Sequence, residues 1–125
     1  MRLHHAAVAA RTEENADTFF QDVLGLSRIK ASTLKSDLAS AIFDIDCECG
    51  LLLYGNEDFA VEVIVADPLP EQKETFAHLC LEVGEREKFI ERCRSAGLEI
   101  CLVPKGESLL CFIRDLDGNL YEIKE

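Results

Sequence analysis

The sequence predicts an α+β protein made of two tandem copies of a β-α-β-β-β module. Each half shows strand-like apolar segments interrupted by one amphipathic helix, and marked positions recur at similar distances along the chain. His5 precedes Gly25 by 20 positions, and His78 precedes Gly97 by 19. The 125 residues suit a single domain with its own core. We therefore expect one domain over 1–125, with module one at about 1–68 and module two at about 74–125.

Module one begins with a predicted strand over 2–10 and a helix that opens at Thr12. Thr12 is a favoured N-cap residue, and acidic residues follow it in the first turn. The apolar stripe of the helix comprises Ala16, Phe19, Phe20, Val23 and Leu24, and Gly25 suits a left-handed C-cap. Strand-like segments at about 26–34, 38–46 and 59–66 complete the module.

Module two follows Pro68 and Pro70, neither of which can continue a central strand. Its predicted elements are a strand at 75–83, a helix at 85–96, and strands at 98–103, 108–114 and 120–124. The distance from Gly25 to Glu62 is 37 residues, whereas that from Gly97 to Glu122 is 25. Module one therefore carries a surplus of 12 residues, and we place this insertion at 45–58.

Charge and cysteine usage narrow the functional classes. The net charge of −11 argues against a nucleic-acid partner and against anionic membranes. No apolar run is long enough for a secretory signal or a membrane span, so we expect a cytoplasmic protein. The six cysteines are interpreted as reduced thiols. Cys47 and Cys49 form a lone C-x-C pair, which lacks the second pair that a zinc site needs.

Two histidines and two carboxylates form the candidate site. Alternation along a strand places Glu62 opposite an apolar face of Val61, Val63 and Val65, and it places His78, Cys80 and Glu82 together. Glu122 likewise opposes Tyr121 and Ile123, whereas the face of His5 is ambiguous. We expect each candidate near the middle of a strand, and His4 pointing away from His5. Cys80 either lines the same cleft as His78 or is a small buried thiol.

Four segments of the chain resemble the vicinal-oxygen-chelate superfamily, the glyoxalase, bleomycin-resistance and dioxygenase group. They are LHHAAVAA, FFQDVLGL, FAHLCLEV and FIRDLDGNLYEI, and together they span both modules. The resemblance implies the glyoxalase/bleomycin-resistance fold, in which two βαβββ modules form a curved mixed sheet around a metal cleft. It also implies a small-molecule substrate and a homodimer, because subunits of this family commonly share cleft walls.

The resemblance implies that His5, Glu62, His78 and Glu122 bind a divalent metal, the set used by bacterial-type glyoxalase I. Such nitrogen and oxygen ligands suit Zn, Ni, Co, Mn or Fe(II). The implied activity is that of a metal-dependent lyase or isomerase, which transfers a proton through a metal-chelated enediolate. Glu122 is the first choice for the catalytic base and Glu62 the second.

Three other functions remain open at the level of sequence. One is a methylmalonyl-CoA-epimerase-like enzyme, and another is a non-haem Fe(II) dioxygenase using His5, His78 and Glu122. The third is a small-molecule binding or resistance protein without catalysis. The glyoxalase arginine that holds a glutathione carboxylate has no counterpart in the stretch 7–10, which makes glutathione doubtful as the thiol. Other possible anion contacts are Arg28, Lys30, Lys105 and Arg114.

Overall fold

A computed structural model describes residues 1–71 and 76–125 and divides into two compact units, Met1–Glu71 and Gln72–Glu125. Each unit contains one four-stranded mixed sheet, so the predicted α+β class with a repeated sheet module is confirmed. The first residue of the predicted strand 75–83 and the expected start of module two at about 74 lie outside the described residues. Within the described part of the chain, no helix has the length and apolarity needed to cross a membrane.

The sheet of unit 1 has the strand order β1-β4-β3-β2, in which β1 and β4 are parallel and the other neighbours are antiparallel. Its elements are β1 (Ala6–Ala10), α1 (Glu13–Asp17), β2 (Ser27–Leu34), α2 (Ser36–Phe43), β3 (Cys49–Gly55) and β4 (Ala60–Val65). Helix α1 continues as a π-helix over Thr18–Val23.

The first helix begins and ends where the sequence predicts. The Oγ1 atom of Thr12 accepts a hydrogen bond from the backbone N–H of Asn15 at 3.0 Å, which satisfies one of the free N–H groups of the first turn. Gly25 follows the helix with φ of 72°, a left-handed conformation that costs glycine little. Phe19 and Phe20 are each 1% exposed, and the ring of Phe20 stacks on Tyr54 of β3.

The predicted strand over 38–46 is wrong, because residues Ser36–Phe43 form helix α2. The backbone N–H of Ala39 donates to the carbonyl of Lys35 at 2.9 Å, and the left-handed Asp44 ends the helix. Apolar residues at 38, 39, 42 and 43 fit a helical period, and those at 39, 41, 43 and 45 alternate as in a strand, so the pattern alone does not decide. Ala39 is fully buried against Cys49 and Ala66, which holds the segment as a helix on the end of the sheet.

The predicted insertion at 45–58 is also misplaced, because Cys49–Gly55 is the core strand β3. This strand pairs with both β2 and β4, and Leu52 and Tyr54 in it are almost completely buried. The extra residues lie between β2 and β3, where residues 35–48 occupy the place that residues 106–107 occupy in unit 2. Helix α2 is therefore the inserted element.

Unit 2 repeats the sheet of unit 1 without an inserted helix. Its strand order is β5-β8-β7-β6, with β5 parallel to β8. The elements are β5 (Leu79–Glu82), α3 (Arg86–Ser95), β6 (Glu99–Lys105), β7 (Ser108–Arg114) and β8 (Leu120–Lys124). Phe89 and Cys93 of α3 are buried, as are Ile113, Tyr121 and Ile123 of the sheet.

The turn between β7 and β8 is organised by Asp115. Its carboxylate accepts hydrogen bonds from the backbone N–H groups of Asp117 and Asn119 and from the hydroxyl of Tyr121. Gly118 has φ of 86°, which explains why the DLDGN sequence needs glycine there. Burial raises the pKa of Asp115, and the hydrogen bonds it accepts oppose that rise.

Candidate functional site

Glu62 is the third residue of β4 and lies opposite Ala7 of the parallel strand β1. Val61 and Val63 on either side of it are 2% and 0% exposed, so the apolar face predicted for this strand is confirmed at these two positions. The Glu62 side chain lies on the other face and is 25% exposed. Strand alternation therefore presents this carboxylate on the side of the sheet that does not form the core.

His5 lies immediately before β1, not near the middle of a strand as expected, because the strand starts at Ala6. Its Nε2 atom is 3.8 Å from Oε1 of Glu62, and its side chain is 37% exposed. The parallel pairing of β1 with β4 is what brings these two residues together across 57 positions of sequence.

Unit 2 contains the same arrangement. His78 lies immediately before β5, again not within the strand, and its Nε2 atom is 3.7 Å from Oε2 of Glu122. Glu122 is the third residue of β8 and lies opposite Cys80. In both units the histidine thus stands two positions before the residue that faces the glutamate.

The hydrogen bond on the far side of His78 determines which ring nitrogen carries the proton. Its Nδ1 atom is 2.9 Å from the backbone carbonyl of Phe76. A carbonyl can only accept, so Nδ1 carries the hydrogen, and in the neutral ring the Nε2 lone pair is the free one. That lone pair and the carboxylate of Glu122 are both acceptors, and such a pair is stabilised by a cation between them.

The spacing of the two pairs is compatible with such a cation. The distances of 3.8 Å and 3.7 Å are longer than a hydrogen bond. Metal–nitrogen and metal–oxygen bonds of about 2.0–2.2 Å would separate two ligand atoms on one ion by at most about 4.3 Å. Imidazole nitrogens and carboxylate oxygens are also suitable donors for Zn and for Fe(II), Co or Ni. The residues present therefore fit a divalent metal.

His4 does not point away from His5, as the simple alternation of strand side chains led us to expect. The Nδ1 atoms of the two rings are 3.3 Å apart, and the rings meet edge to face with centroids 5.6 Å apart. The alternation rule fails here because both residues precede β1 and are not held by its ladder.

Glu122 has two further polar neighbours in unit 2. Lys124 Nζ is 3.8 Å from Oε1 of Glu122, on the oxygen that does not face His78. Cys80 is exposed, so of its two predicted settings the buried thiol is wrong. Partial desolvation of its sulfur by the neighbouring side chains and the nearby negative charge of Glu122 raise the pKa of Cys80, which keeps it a neutral thiol.

Arg28 is already engaged and is a poor candidate for binding a substrate anion. Its guanidinium donates to both carboxylate oxygens of Asp17, at 2.8 Å and 2.9 Å, and to Glu13. The hydroxyl of Tyr54 donates to the same Asp17 carboxylate at 2.7 Å. This network ties the first helix to β2 and β3 and gives Arg28 a structural role.

The other candidate cations differ in their surroundings. Arg114 donates to the carbonyl of Gly118 at 2.8 Å and supports the turn before β8. Lys105 is exposed at the end of β6. Lys30 is exposed on β2. It lies opposite Leu53 of β3, and Leu53 lies opposite Glu62 of β4, so Lys30 and Glu62 are on the same face of the sheet.

The structure thus forms two His/Glu pairs, one in each unit. Among residues 1–71 and 76–125, no group of three or more His, Cys, Asp or Glu side chains is gathered into a metal site. The Sγ atom of Cys49 lies 3.7 Å from the backbone carbonyl oxygen of Cys47. In these described ranges all six cysteines are free thiols. The set of four metal ligands stays a prediction.

Sequence reasoning did not anticipate the partners behind the two histidines. The Phe76 carbonyl is a backbone group, so no side-chain pattern marks it. The ring of Phe112 on β7 meets that of His78 at 5.9 Å and 69°, and Phe112 faces Glu122 across the ladder. Only the register of the strands reveals that this aromatic ring adjoins the site.

Comparison with known proteins identifies the superfamily to which the chain belongs. The family model of the Glyoxalase/Bleomycin resistance protein/Dioxygenase superfamily matches residues 2–123. The chain belongs to this superfamily, as its sequence motifs predict. No curated relative matches the sequence.

Several solved structures share the fold. A glyoxalase family protein from Enterococcus faecalis is 20% identical, with a TM-score of 0.74, over 99% of this chain and 97% of that one. The trypanothione-dependent glyoxalase I of Leishmania major is 14% identical, with a TM-score of 0.77, over 100% of this chain and 86% of that one. A variant of the fosfomycin resistance protein FosX from Listeria monocytogenes, complexed with Mn(II) and dihydroxypropylphosphonic acid, is 19% identical, with a TM-score of 0.72, over 98% and 88%.

Proposed function

We propose that this protein is a metal-dependent lyase or isomerase of the glyoxalase I type, with His5, Glu62, His78 and Glu122 as the metal ligands. The observation that carries the proposal is the repeated His/Glu pair, which places Nε2 of each histidine within 3.8 Å of a carboxylate oxygen. A structural ion pair would require no repetition at equivalent positions of two sheets. Joint binding of one metal ion would give both pairs a common task.

The ligand set supports a divalent ion such as Zn, Ni, Co, Mn or Fe(II). When bound, such an ion polarises a carbonyl and stabilises the negative charge that develops on adjacent oxygens when the neighbouring carbon loses a proton. The donor set does not select one metal, so identity has to be measured.

The two carboxylates offer a base for that proton. One oxygen of each carboxylate faces its histidine, which leaves the other oxygen, Oε1 of Glu122 or Oε2 of Glu62, as the one to accept a proton. We propose Glu122 as the catalytic base and Glu62 as the alternative. Nζ of Lys124 lies 3.8 Å from Oε1 of Glu122, so the proposed base has a cation beside it.

The proposed substrate is an α-hydroxy-carbonyl, a 1,2-dicarbonyl adduct or an acyl thioester. Two observations argue against glutathione as the thiol of such an adduct. The stretch after His5 is Ala7-Val8-Ala9-Ala10, without the glyoxalase arginine, and Arg28 is held by Asp17. The net charge of −11 disfavours a multiply anionic cosubstrate further.

The experiment begins with the metal. Wild-type protein is stripped with a chelator, reloaded separately with Zn, Ni, Co, Mn or Fe(II), and analysed for metal content. We expect about one ion per chain, and loss of that ion in His78→Ala and Glu122→Gln. Glu82→Gln is the matched control, because this exposed carboxylate lies on β5 near the site but in neither pair.

Turnover is then measured with methylglyoxal or phenylglyoxal and a range of thiols, glutathione included. Metal binding without turnover would reject the glyoxalase chemistry but keep the site. Failure of wild type to hold any of the metals near stoichiometry would reject the catalytic proposal. Oxygen-dependent cleavage of a catechol by the Fe(II) form would instead favour the dioxygenase alternative, and racemisation of a 2-methyl acyl thioester the epimerase alternative.

A second candidate function is fosfomycin-type resistance. The FosX relative binds Mn(II) together with a dihydroxypropylphosphonic acid, a ligand with two adjacent oxygens and an anionic group. Lys30, exposed on the sheet face of Glu62, is a possible partner for that anionic group. Loss of fosfomycin in the presence of the Mn(II) form, with or without a thiol, is the discriminating assay.

We also propose that the protein is a homodimer in the cytoplasm and that its two units form a single domain. The cleft walls that subunits of this superfamily commonly share support the dimer. Light scattering on the purified protein measures the oligomeric state directly. A monomer that binds one metal ion would contradict a site shared between subunits.

A further inference from the structure

The two His/Glu pairs differ in the partner of the histidine's other ring nitrogen, Nδ1. In unit 2, Nδ1 of His78 faces the backbone carbonyl of Phe76 at 2.9 Å. In unit 1, Nδ1 of His5 faces a side-chain atom, Nδ1 of His4, at 3.3 Å. The position equivalent to His4 is Ala77, whose side chain cannot form a hydrogen bond. The chain thus uses a backbone acceptor in one unit and a neighbouring imidazole in the other.

This difference has a chemical consequence. A carbonyl only accepts, whereas a neutral imidazole nitrogen either donates or accepts according to its tautomer. If His4 accepts at Nδ1, His5 carries its proton on Nδ1, and the lone pair of Nε2 faces Glu62. If His4 donates, the proton of His5 moves to Nε2, where it blocks metal ligation and lies 3.8 Å from Glu62, too far for a good hydrogen bond.

The tautomer with the proton on Nδ1 of His5 therefore matches that of His78 in unit 2 and leaves Nε2 of His5 able to bind a metal. We propose that His4 is a positioning residue, which accepts the Nδ1 proton of His5 and so directs the Nε2 lone pair of His5 towards Glu62. The part of this inference that concerns metal affinity rests on the proposed function. The part that concerns the tautomer of His5 is measured in the metal-free protein, where the hydrogen bond to His4 has to outweigh the repulsion between the Nε2 lone pair and the carboxylate of Glu62.

Three variants separate hydrogen bonding from ring packing. His4→Asn retains an acceptor oxygen near the position of Nδ1, His4→Phe retains the edge-to-face ring without a nitrogen, and His4→Ala removes both. Leu3→Ala, at a neighbouring residue that is 83% exposed, is the matched control. His4 is itself exposed at the start of the chain, so none of these changes disturbs the core, and circular dichroism verifies the fold.

The first measurement is the ¹⁵N spectrum of the imidazoles in metal-free protein at about pH 8, above the usual histidine pKa of about 6.5. We expect His5 of wild type, His4→Asn and Leu3→Ala to be protonated on Nδ1, and His5 of His4→Phe and His4→Ala to be a mixture of tautomers. A wild-type His5 protonated mainly on Nε2 would overturn the proposal. So would a wild-type spectrum that His4→Ala leaves unchanged.

The second measurement is the affinity for Ni²⁺ and Co²⁺, determined by competition with a chelator. Loss of a residue that orients a ligand typically weakens metal binding by about 10–100-fold, and the exposure of His4 favours the lower end. We expect about a tenfold loss in His4→Ala and His4→Phe, and less than about a threefold loss in His4→Asn. Full affinity in His4→Phe with loss in His4→Asn would assign His4 a packing role and overturn the proposal.

The two hypotheses fail in different ways. If wild type holds none of the five metals used for reloading, the proposed function fails, and the tautomer measurement still decides whether His4 orients His5. If wild type binds metal and His4→Ala binds it equally well, the metal site stands and the role of His4 is refuted.

Discussion

Replacing Tyr54 with phenylalanine tests the hydrogen-bond network that joins the first helix to the sheet carrying Glu62. The Tyr54 ring is 0% exposed, and its hydroxyl donates to Asp17 at 2.7 Å. Phenylalanine retains the stacking on Phe20 and leaves little cavity, so the change removes the contacts of the hydroxyl with Asp17 and Arg28 and little else. A hydrogen bond to a charged group contributes about 1.5–3 kcal/mol. Asp17 stays paired with Arg28, so we expect a loss of about 1.5 kcal/mol, the lower end.

Urea unfolding followed by circular dichroism at neutral pH measures this loss, since the chain has no tryptophan. The midpoint should fall with no change in the slope m, because the unfolded surface is unaltered. Tyr121→Phe is the matched comparison in unit 2, where the hydroxyl donates to Asp115 over a longer distance, 3.1 Å. We expect about 1 kcal/mol for that variant. A loss below about 0.5 kcal/mol in Tyr54→Phe would refute the assigned role of the network.

Alkaline pH should destabilise the fold through Tyr54, whose pKa is raised from 10.0 to about 12, first by burial and then by its bond to Asp17. Because the pKa of Tyr54 is higher in the folded than in the unfolded chain, the unfolding free energy is unaffected below about pH 10 and falls by about 2–3 kcal/mol as the pH rises through about 12. In urea titrations at each pH, Tyr54→Phe should lack this loss and retain only the part due to Tyr121, whose pKa is also raised by burial. Ala39→Leu should cost about 1–3 kcal/mol because Ala39 is 0% exposed, whereas Ile42→Lys, at 61% exposure, should change the unfolding free energy by less than about 0.5 kcal/mol. Equal losses of unfolding free energy in Ala39→Leu and Ile42→Lys would contradict the burial of the Ala39 face of α2. Lys124→Gln removes a cation 3.8 Å from Glu122, so the affinity for Ni²⁺ should increase. The increase should stay below about threefold, because Lys124 is 62% exposed and its charge is screened by water. A lower Ni²⁺ affinity of Lys124→Gln in the chelator competition would count against a metal at Glu122.

Local signals in the sequence predicted several elements correctly. Thr12 caps the first helix, Gly25 and Gly97 adopt positive φ beside the ends of helices, and Val61 and Val63 form a buried strand face. Each of these signals acts within a few residues, through backbone conformation or through side-chain alternation. The neighbouring sequence is therefore enough to read them.

Local sequence signals do not determine the structure of residues 35–55. Residues 38–46 fit both a helical and an extended pattern, and burial of Ala39 against Cys49 and Ala66 selects the helix. The apolar run of β3 lies inside the predicted insertion, but it pairs with β2 across the inserted helix and with β4 across a short turn, which makes it a core strand. Contacts formed only on folding decide between alternatives that local propensity leaves nearly equal.

The candidate site divides in the same way between sequence and structure. The sequence alone predicted His5, Glu62, His78 and Glu122 as candidate ligands, because their residue types, their repeated order and the surrounding family motifs can all be read along the chain. Only the tertiary structure decided that each histidine precedes its strand, that it lies within 3.8 Å of its glutamate, and that Phe76 and His4 stand behind the rings. The physical reason is that strand register and backbone carbonyl positions arise from long-range pairing between parallel strands. No residue pattern along the chain encodes them directly.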